Sequence, residues 1–138
     1  MRPKEVASLM EVRRVLESLC MEKVIECAGD DEIRGMKQYL DKIRGAKTPE
    51  ESANAVFEFH HELAMLSGNM LLPLLYHSFK PESLYLWKMS CRTLGGNQLI
   101  DVKLTLLEAL IAKDLDKALS LTKNSIDIAL KQISDYIS

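Results

Sequence analysis

This sequence predicts an all-α fold, an antiparallel bundle of six to seven helices, on three observations. Apolar residues recur three and four positions apart along nearly the whole chain. No stretch shows a convincing alternation with the period of two that a half-buried strand needs. Glycine, proline and asparagine punctuate the periodic segments at close intervals, leaving room only for short loops. Short loops force neighbouring helices to run antiparallel. The 138 residues have the length of one domain, and residues 1–138 are read as one.

Seven segments follow in order. The first runs from about Lys4 to Ala28, with a stripe of Val6, Leu9, Arg13, Leu16, Cys20, Val24 and Cys27, and Gly29 ends it. Asp30 or Asp31 caps the second, which carries Ile33, Met36, Tyr39, Leu40 and Ile43 to about Arg44. Thr48-Pro49-Glu50-Glu51 is a helix start: a cap hydroxyl, proline at the first position and acids in the first turn. That third helix has a stripe of Val56, Phe59, Leu63 and Leu66. Ser67-Gly68-Asn69 stops it, with Gly68 suited to a left-handed position and Asn69 to the next cap. The fourth helix carries Met70, Leu71, Leu74, Leu75 and Phe79, with Pro73 in its first turns, where a missing N–H costs least. Lys80-Pro81 separates it from a fifth, to about Leu94, with Leu84, Tyr85, Trp87, Met89 and Cys91. After Gly95-Gly96 the sixth, about Gln98 to Ala112, sets Leu99, Val102, Lys103, Leu106, Leu107 and Leu110 inward. Asp114 caps the seventh, Leu115 to about Tyr136, with a stripe of Leu115, Ala118, Leu119, Thr122, Ser125, Ile126, Ala129, Ile133 and Ile137.

Composition excludes several function classes. Hydrophobic residues make up 47% and charged residues 28%, as in ordinary globular proteins, and the net charge is −2 with lysine and arginine scattered. That argues against this segment holding nucleic acid by itself. No apolar run approaches the length of a membrane span, and no signal peptide opens the chain. Cys20, Cys27 and Cys91 are odd in number. Cys20 and Cys27 lie about 10 Å apart along one helix, too far for a disulfide. All three read as reduced, buried small hydrophobes of a cytoplasmic protein.

Four helices interrupt their own apolar stripes near mid-length, with Arg13, His60, Lys103 and Ser125. Lys103 is flanked by Leu99, Leu106, Leu107 and Leu110 at helical spacing, so its stem must lie along apolar surface. If the bundle gathers these helices round one axis, two cations, a titratable ring and a hydroxyl meet in one cavity, the usual place for a ligand site in a bundle. Each residue also has a local explanation. Lys103 can snorkel to water, Arg13 can pair with Glu17 one turn on, and Ser125 can bond back to the Leu121 carbonyl. Other chemistry is weaker. Adjacent His60 and His61 point apart, about 100° round the helix, and cannot share a metal. No cysteine has a histidine at ligand spacing on its helix. There is no phosphate loop and no nucleophile elbow. Trp87 with Tyr85 can stack a ligand, although packing in the core explains them more simply.

Three stretches carry a resemblance. Glu11-Val12-Arg13-Arg14-Val15-Leu16-Glu17 resembles the opening helix of the FCD effector domain, the C-terminal ligand-sensing domain of FadR-type GntR transcription regulators. Phe59-His60-His61-Glu62-Leu63-Ala64 followed by Ser67-Gly68-Asn69 is similar to that family's most recognisable segment. Leu107-Glu108-Ala109-Leu110-Ile111-Ala112-Lys113-Asp114, then Ala118, resembles the stretch joining its last two helices. The resemblance implies an antiparallel bundle of six or seven helices. It also implies a divalent metal held by one aspartate and three histidines. Those ligand places fall here on Val56, His60, Lys103 and Ser125, and His60 alone is a ligand type. No metal and no other cofactor is therefore expected, and Lys103 takes over part of the ion's work by attracting an anion directly. Arg13 matches the arginine of the family's first-helix motif and suits a carboxylate.

The expectation is a cytoplasmic effector-binding and dimerisation domain of a bacterial regulator, not an enzyme, with no membrane partner. It takes a small organic anion, a carboxylate or acyl conjugate, on Arg13, His60, Lys103 and Ser125. By the same resemblance it forms a homodimer. It reaches DNA only through a winged helix-turn-helix that is missing from this sequence. The alternative is a structural dimerisation or interaction domain whose pocket has decayed. An enzyme using His60 as base lacks a nucleophile or second titratable group at a convincing spacing.

Overall fold

The computed structural model describes the backbone of residues 2–93 and 96–137, and the side chains of residues 2–90, 98–132 and 134. The expected break at Gly95 and the burial of Cys91, Ile133 and Ile137 lie outside the described residues. Among them eight helices follow one another: α1 (Pro3–Cys27), α2 (Asp30–Gly35), α3 (Lys37–Gly45), α4 (Pro49–Leu66), α5 (Leu71–Ser78), α6 (Lys80–Thr93), α7 (Gly96–Ile111) and α8 (Leu115–Ile137). The described residues contain no strand. The bundle expected from periodicity is therefore present, with its second segment divided in two. Gly35, a weak helix former, precedes the division, and Met36 turns inward to be almost fully buried. The Met36 N–H bonds to the Ile33 carbonyl at 3.1 Å, a tighter turn than the α-helix makes.

The helix ends follow the local chemistry of their residues. Thr48 Oγ1 accepts the Glu51 N–H at 3.1 Å while Glu51 Oε2 accepts the Lys47 N–H at 2.8 Å, so two otherwise open donors at the start of α4 are satisfied. Asn69 Oδ1 accepts from Leu71 and Leu72 at 2.9 and 3.2 Å, and Asp114 Oδ1 accepts from Lys117 at 3.1 Å. The cap of α2 is Gly29 rather than Asp30 or Asp31. Glu32 reaches back to the Gly29 N–H at 3.0 Å, and both aspartates sit in the first turn, where the helix dipole favours them. Gly68 adopts φ +74, and a Cβ there would stand 3.2 Å from Cys27 Sγ. The turn between α4 and α5 thus packs directly against the end of α1. The end of α7 uses a non-glycine residue for the same purpose. Lys113 has φ 57, the Asp114 N–H reaches the Ala109 carbonyl at 2.9 Å and the Lys113 N–H reaches Leu110 at 3.1 Å.

Helix α1 packs against α8, α4 and α7, and α4 packs against α6, α3, α5 and α1. Two apolar clusters result. The larger draws on α1 to α7 and the start of α8, with Phe59, Leu63, Ile33, Leu40, Leu107 and Leu110 almost wholly buried. The smaller consists of Val6, Met10, Leu86, Met89, Ile126 and Ala129, from α1, α6 and α8. Expectations of burial fail at Cys27, at Ser125 and at Val102, which is 41% exposed on α7. Cys27 is exposed, although the turn at Gly68 stands beside its Sγ. Met70, Leu71, Leu74 and Leu75 face outward, Met70 being 87% exposed, because α5 turns Leu72 and Tyr76 to the core instead. Ser125 is exposed, because α8 buries Ala118, Thr122, Ile126 and Ala129 and leaves Ser125 on the flank of that stripe.

Candidate functional site

A cavity of about 460 Å³ lies in the bundle, walled by α1, α4, α6, α7 and α8, with Tyr76 of α5 reaching its edge. Arg13, His60, Lys103 and Ser125 all line it. Each occupies its own helix at the point where the apolar stripe is interrupted, so the bundle brings those interruptions together. Their depths differ. Arg13 is 4% exposed and Lys103 7%, His60 is partly buried, and Ser125 stands at the exposed margin. Lys103 does not snorkel outward. Its Nζ lies 5.3 Å from the centroid of the Phe59 ring and 5.8 Å from that of Trp87, where the aromatic faces attract a cation.

The same α1 face holds an acid outside the expected site. Glu17 is 3% exposed, and its Oε1 accepts from Arg13 Nη2 at 2.8 Å. The local pairing that the sequence permits for Arg13 is thus formed, but inside the cavity. Glu17 lies four residues after Arg13 and three before Cys20, which places it on the buried face, and that spacing was the available signal. Arg13 Nη1 also approaches Met10 Sδ at 3.5 Å, and its guanidinium carbon lies 4.4 Å from the Trp87 ring centroid. Trp87 stacks nearly parallel to His60, at 5.2 Å and 6°. Trp87 is therefore both packed and part of the cavity wall, whereas Tyr85 points outward.

His60 sits among charges of both signs. Its Nδ1 is 3.7 Å from Glu17 Oε1, and its Nε2 is buried without a hydrogen-bond partner among the described residues. Burial, then Lys103 and Arg13, hold its pKa well below the ordinary 6.5, so the ring is neutral at physiological pH. Burial, reinforced by Glu17, raises Tyr76 well above 10.0 and raises Cys20 likewise, so both remain protonated. The cavity therefore offers two basic groups, the Glu17 carboxylate, neutral donors and apolar wall. Among the described residues, neither the Cys20 thiol nor the Tyr76 hydroxyl is activated as a nucleophile.

The donor set does not suit the family's divalent ion. Val56 is fully buried hydrocarbon, Lys103 brings a positive charge, and Ser125 is a neutral hydroxyl at the margin. Among the described residues no three histidine, cysteine, aspartate or glutamate side chains gather where they could hold a metal. Nor is any helix of the described residues long and apolar enough to cross a membrane.

No curated protein matches this chain. A family model described as the FCD domain matches residues 8–127, from the first turns of α1 into the second half of α8. The match takes in all or part of each helix that walls the cavity, and the chain belongs to the FCD family, the effector-binding domains of GntR-type transcription regulators.

Proposed function

We propose that this domain senses a small organic anion in the central cavity without the family's metal, and that the anion is a carboxylate or acyl conjugate. The observation that carries the reading is the burial of two basic side chains, Arg13 and Lys103, against a cavity of about 460 Å³. Lys103 Nζ attracts the anion, Arg13 contributes the guanidinium hydrogens that Glu17 leaves, and the neutral His60 ring donates its one N–H. Ser125 closes the contact at the margin. An ion that binds more tightly to one arrangement of the helices shifts the protein toward it, and that difference in affinity is what makes a sensor. The domain acts as a cytoplasmic homodimer and moves a DNA-binding domain outside these 138 residues.

Thermal unfolding with a panel of carboxylates tests this. At least one should raise the melting temperature of the wild type, and Lys103→Met should abolish the rise while keeping the helical signal. An unchanged response in Lys103→Met puts the site elsewhere. A second reading has one observation in its favour: Arg13 is already paired with Glu17, as in a pocket that has become self-sufficient. In that case no anion shifts the transition, and the domain serves only to hold subunits together.

A further inference from the structure

We propose that two copies of this chain meet on the outward face of α5, in a two-fold contact centred on Leu71, Leu74 and Leu75. The inference rests on the homodimer reading and does not depend on the anion. Met70, Leu71, Leu74 and Leu75 are all exposed. They stand three and four positions apart, so they form one ridge, on the side of α5 away from the buried Leu72 and Tyr76. Together they present roughly 500 Å² of apolar surface. A dimer interface of standard size takes about 800 Å² from each subunit, a little more than half of it apolar. The ridge therefore supplies the apolar share of one such interface.

Charge says what the occupant is. From Leu63 to Phe79 the chain has no aspartate, glutamate, lysine or arginine, the longest such run in a sequence where these types make up 28%. A two-fold contact brings each residue near the axis close to its own copy, so a charge there meets its like. An uncharged ridge suits self-docking, whereas a different partner recognised by charge finds nothing here to pair with. Val12 and Val15 of α1 and Ile128 of α8 are exposed as well, but their sequence neighbours Arg14 and Asp127 form a surface ion pair. The ridge is also held in place before association. Asn69 Oδ1 caps the start of α5, and Leu72 and Tyr76 anchor it to the core, so little freedom is lost on docking. Tyr76 reaches the cavity edge, so one short helix touches both the ligand space and the second subunit.

Size-exclusion chromatography with light scattering on the 138-residue protein tests the proposal. The wild type at about 100 μM should have twice the chain mass, as a dimer of micromolar affinity does at that concentration. Leu71→Asp/Leu74→Asp should have the mass of one chain, with an unchanged helical signal by circular dichroism. Should that variant lose helicity, Met70→Lys takes its place, and it should raise the dimer dissociation constant at least tenfold. Val15→Asp should stay dimeric. A folded Leu71→Asp/Leu74→Asp that remains dimeric, or a Met70→Lys with unchanged dissociation, overturns the proposal and leaves the homodimer reading intact. Dissociation by Val15→Asp moves the contact to α1 and α8 and overturns it equally. A monomeric wild type removes the homodimer reading, and this proposal with it.

Discussion

The two apolar clusters on either side of Arg13 and Glu17 are built differently. The larger closes around Phe59, Leu63, Leu107 and Leu110 with contributions from every helix up to α7 and from the start of α8. The smaller has six buried residues from three helices, and one of them, Met10, touches the Arg13 guanidinium. The first holds the architecture through many mutual contacts. Both meet the cavity's polar groups, the larger through Trp87 and Phe59 beside Arg13 and Lys103, the smaller through Met10 beside Arg13.

Core truncations should give the largest contrast. Phe59→Ala removes a fully buried ring and should cost about 4 kcal/mol by chemical denaturation, whereas Met10→Ala, in the smaller cluster, should cost about 2. Equal losses would mean the clusters are energetically alike. The polar pair between them comes next. Arg13→Met strands Glu17 in the interior and should destabilise by about 3 kcal/mol, while Arg13→Met/Glu17→Met should return to within about 1 kcal/mol of wild type.

The imidazole on the cavity wall gives a dependence on pH. The folded His60 pKa lies below the unfolded value near 6.5, so under that pH the unfolded chain binds the proton and the folded chain does not. Stability therefore falls as pH drops below 6.5, by at most about 1.4 kcal/mol per pH unit, until the folded ring titrates. His60→Gln should lack this component. The difference between the two proteins at pH 7 and pH 5.5 measures it, and identical profiles would rule it out.

Two effects at helix ends are smaller and oppose each other. Thr48→Ala should destabilise by about 1 kcal/mol through the lost bond to the Glu51 N–H. Lys113→Gly relieves a left-handed side chain and should stabilise by about 1 kcal/mol, visible as a rise of a few degrees in Tm.

Helix periodicity and cap residues made most of the fold legible. Thr48, Asn69 and Asp114 cap where their side chains predict, and Gly68 takes the left-handed turn. The outward turn of Met70, Leu71, Leu74 and Leu75 was not legible. A short helix with apolar residues on several faces can bury any of them, and tertiary packing chose Leu72 and Tyr76. In the cavity, Arg13, His60 and Lys103 were visible because each interrupts an apolar stripe. Glu17 escaped notice because an acid one turn from an arginine reads equally well as a solvent-exposed ion pair. Ser125 was placed too deep because Thr122, one turn earlier, occupies the buried line of α8.

Helix α1 is an unbroken rod of 25 residues, and Arg13 and Glu17 stand near its middle. Any tilt imposed there arrives at Pro3, about 15 Å along the axis, with no joint between to absorb it. Two of the residues that bring charge to the cavity are thus also the fulcrum of a lever that runs to the first turn of α1.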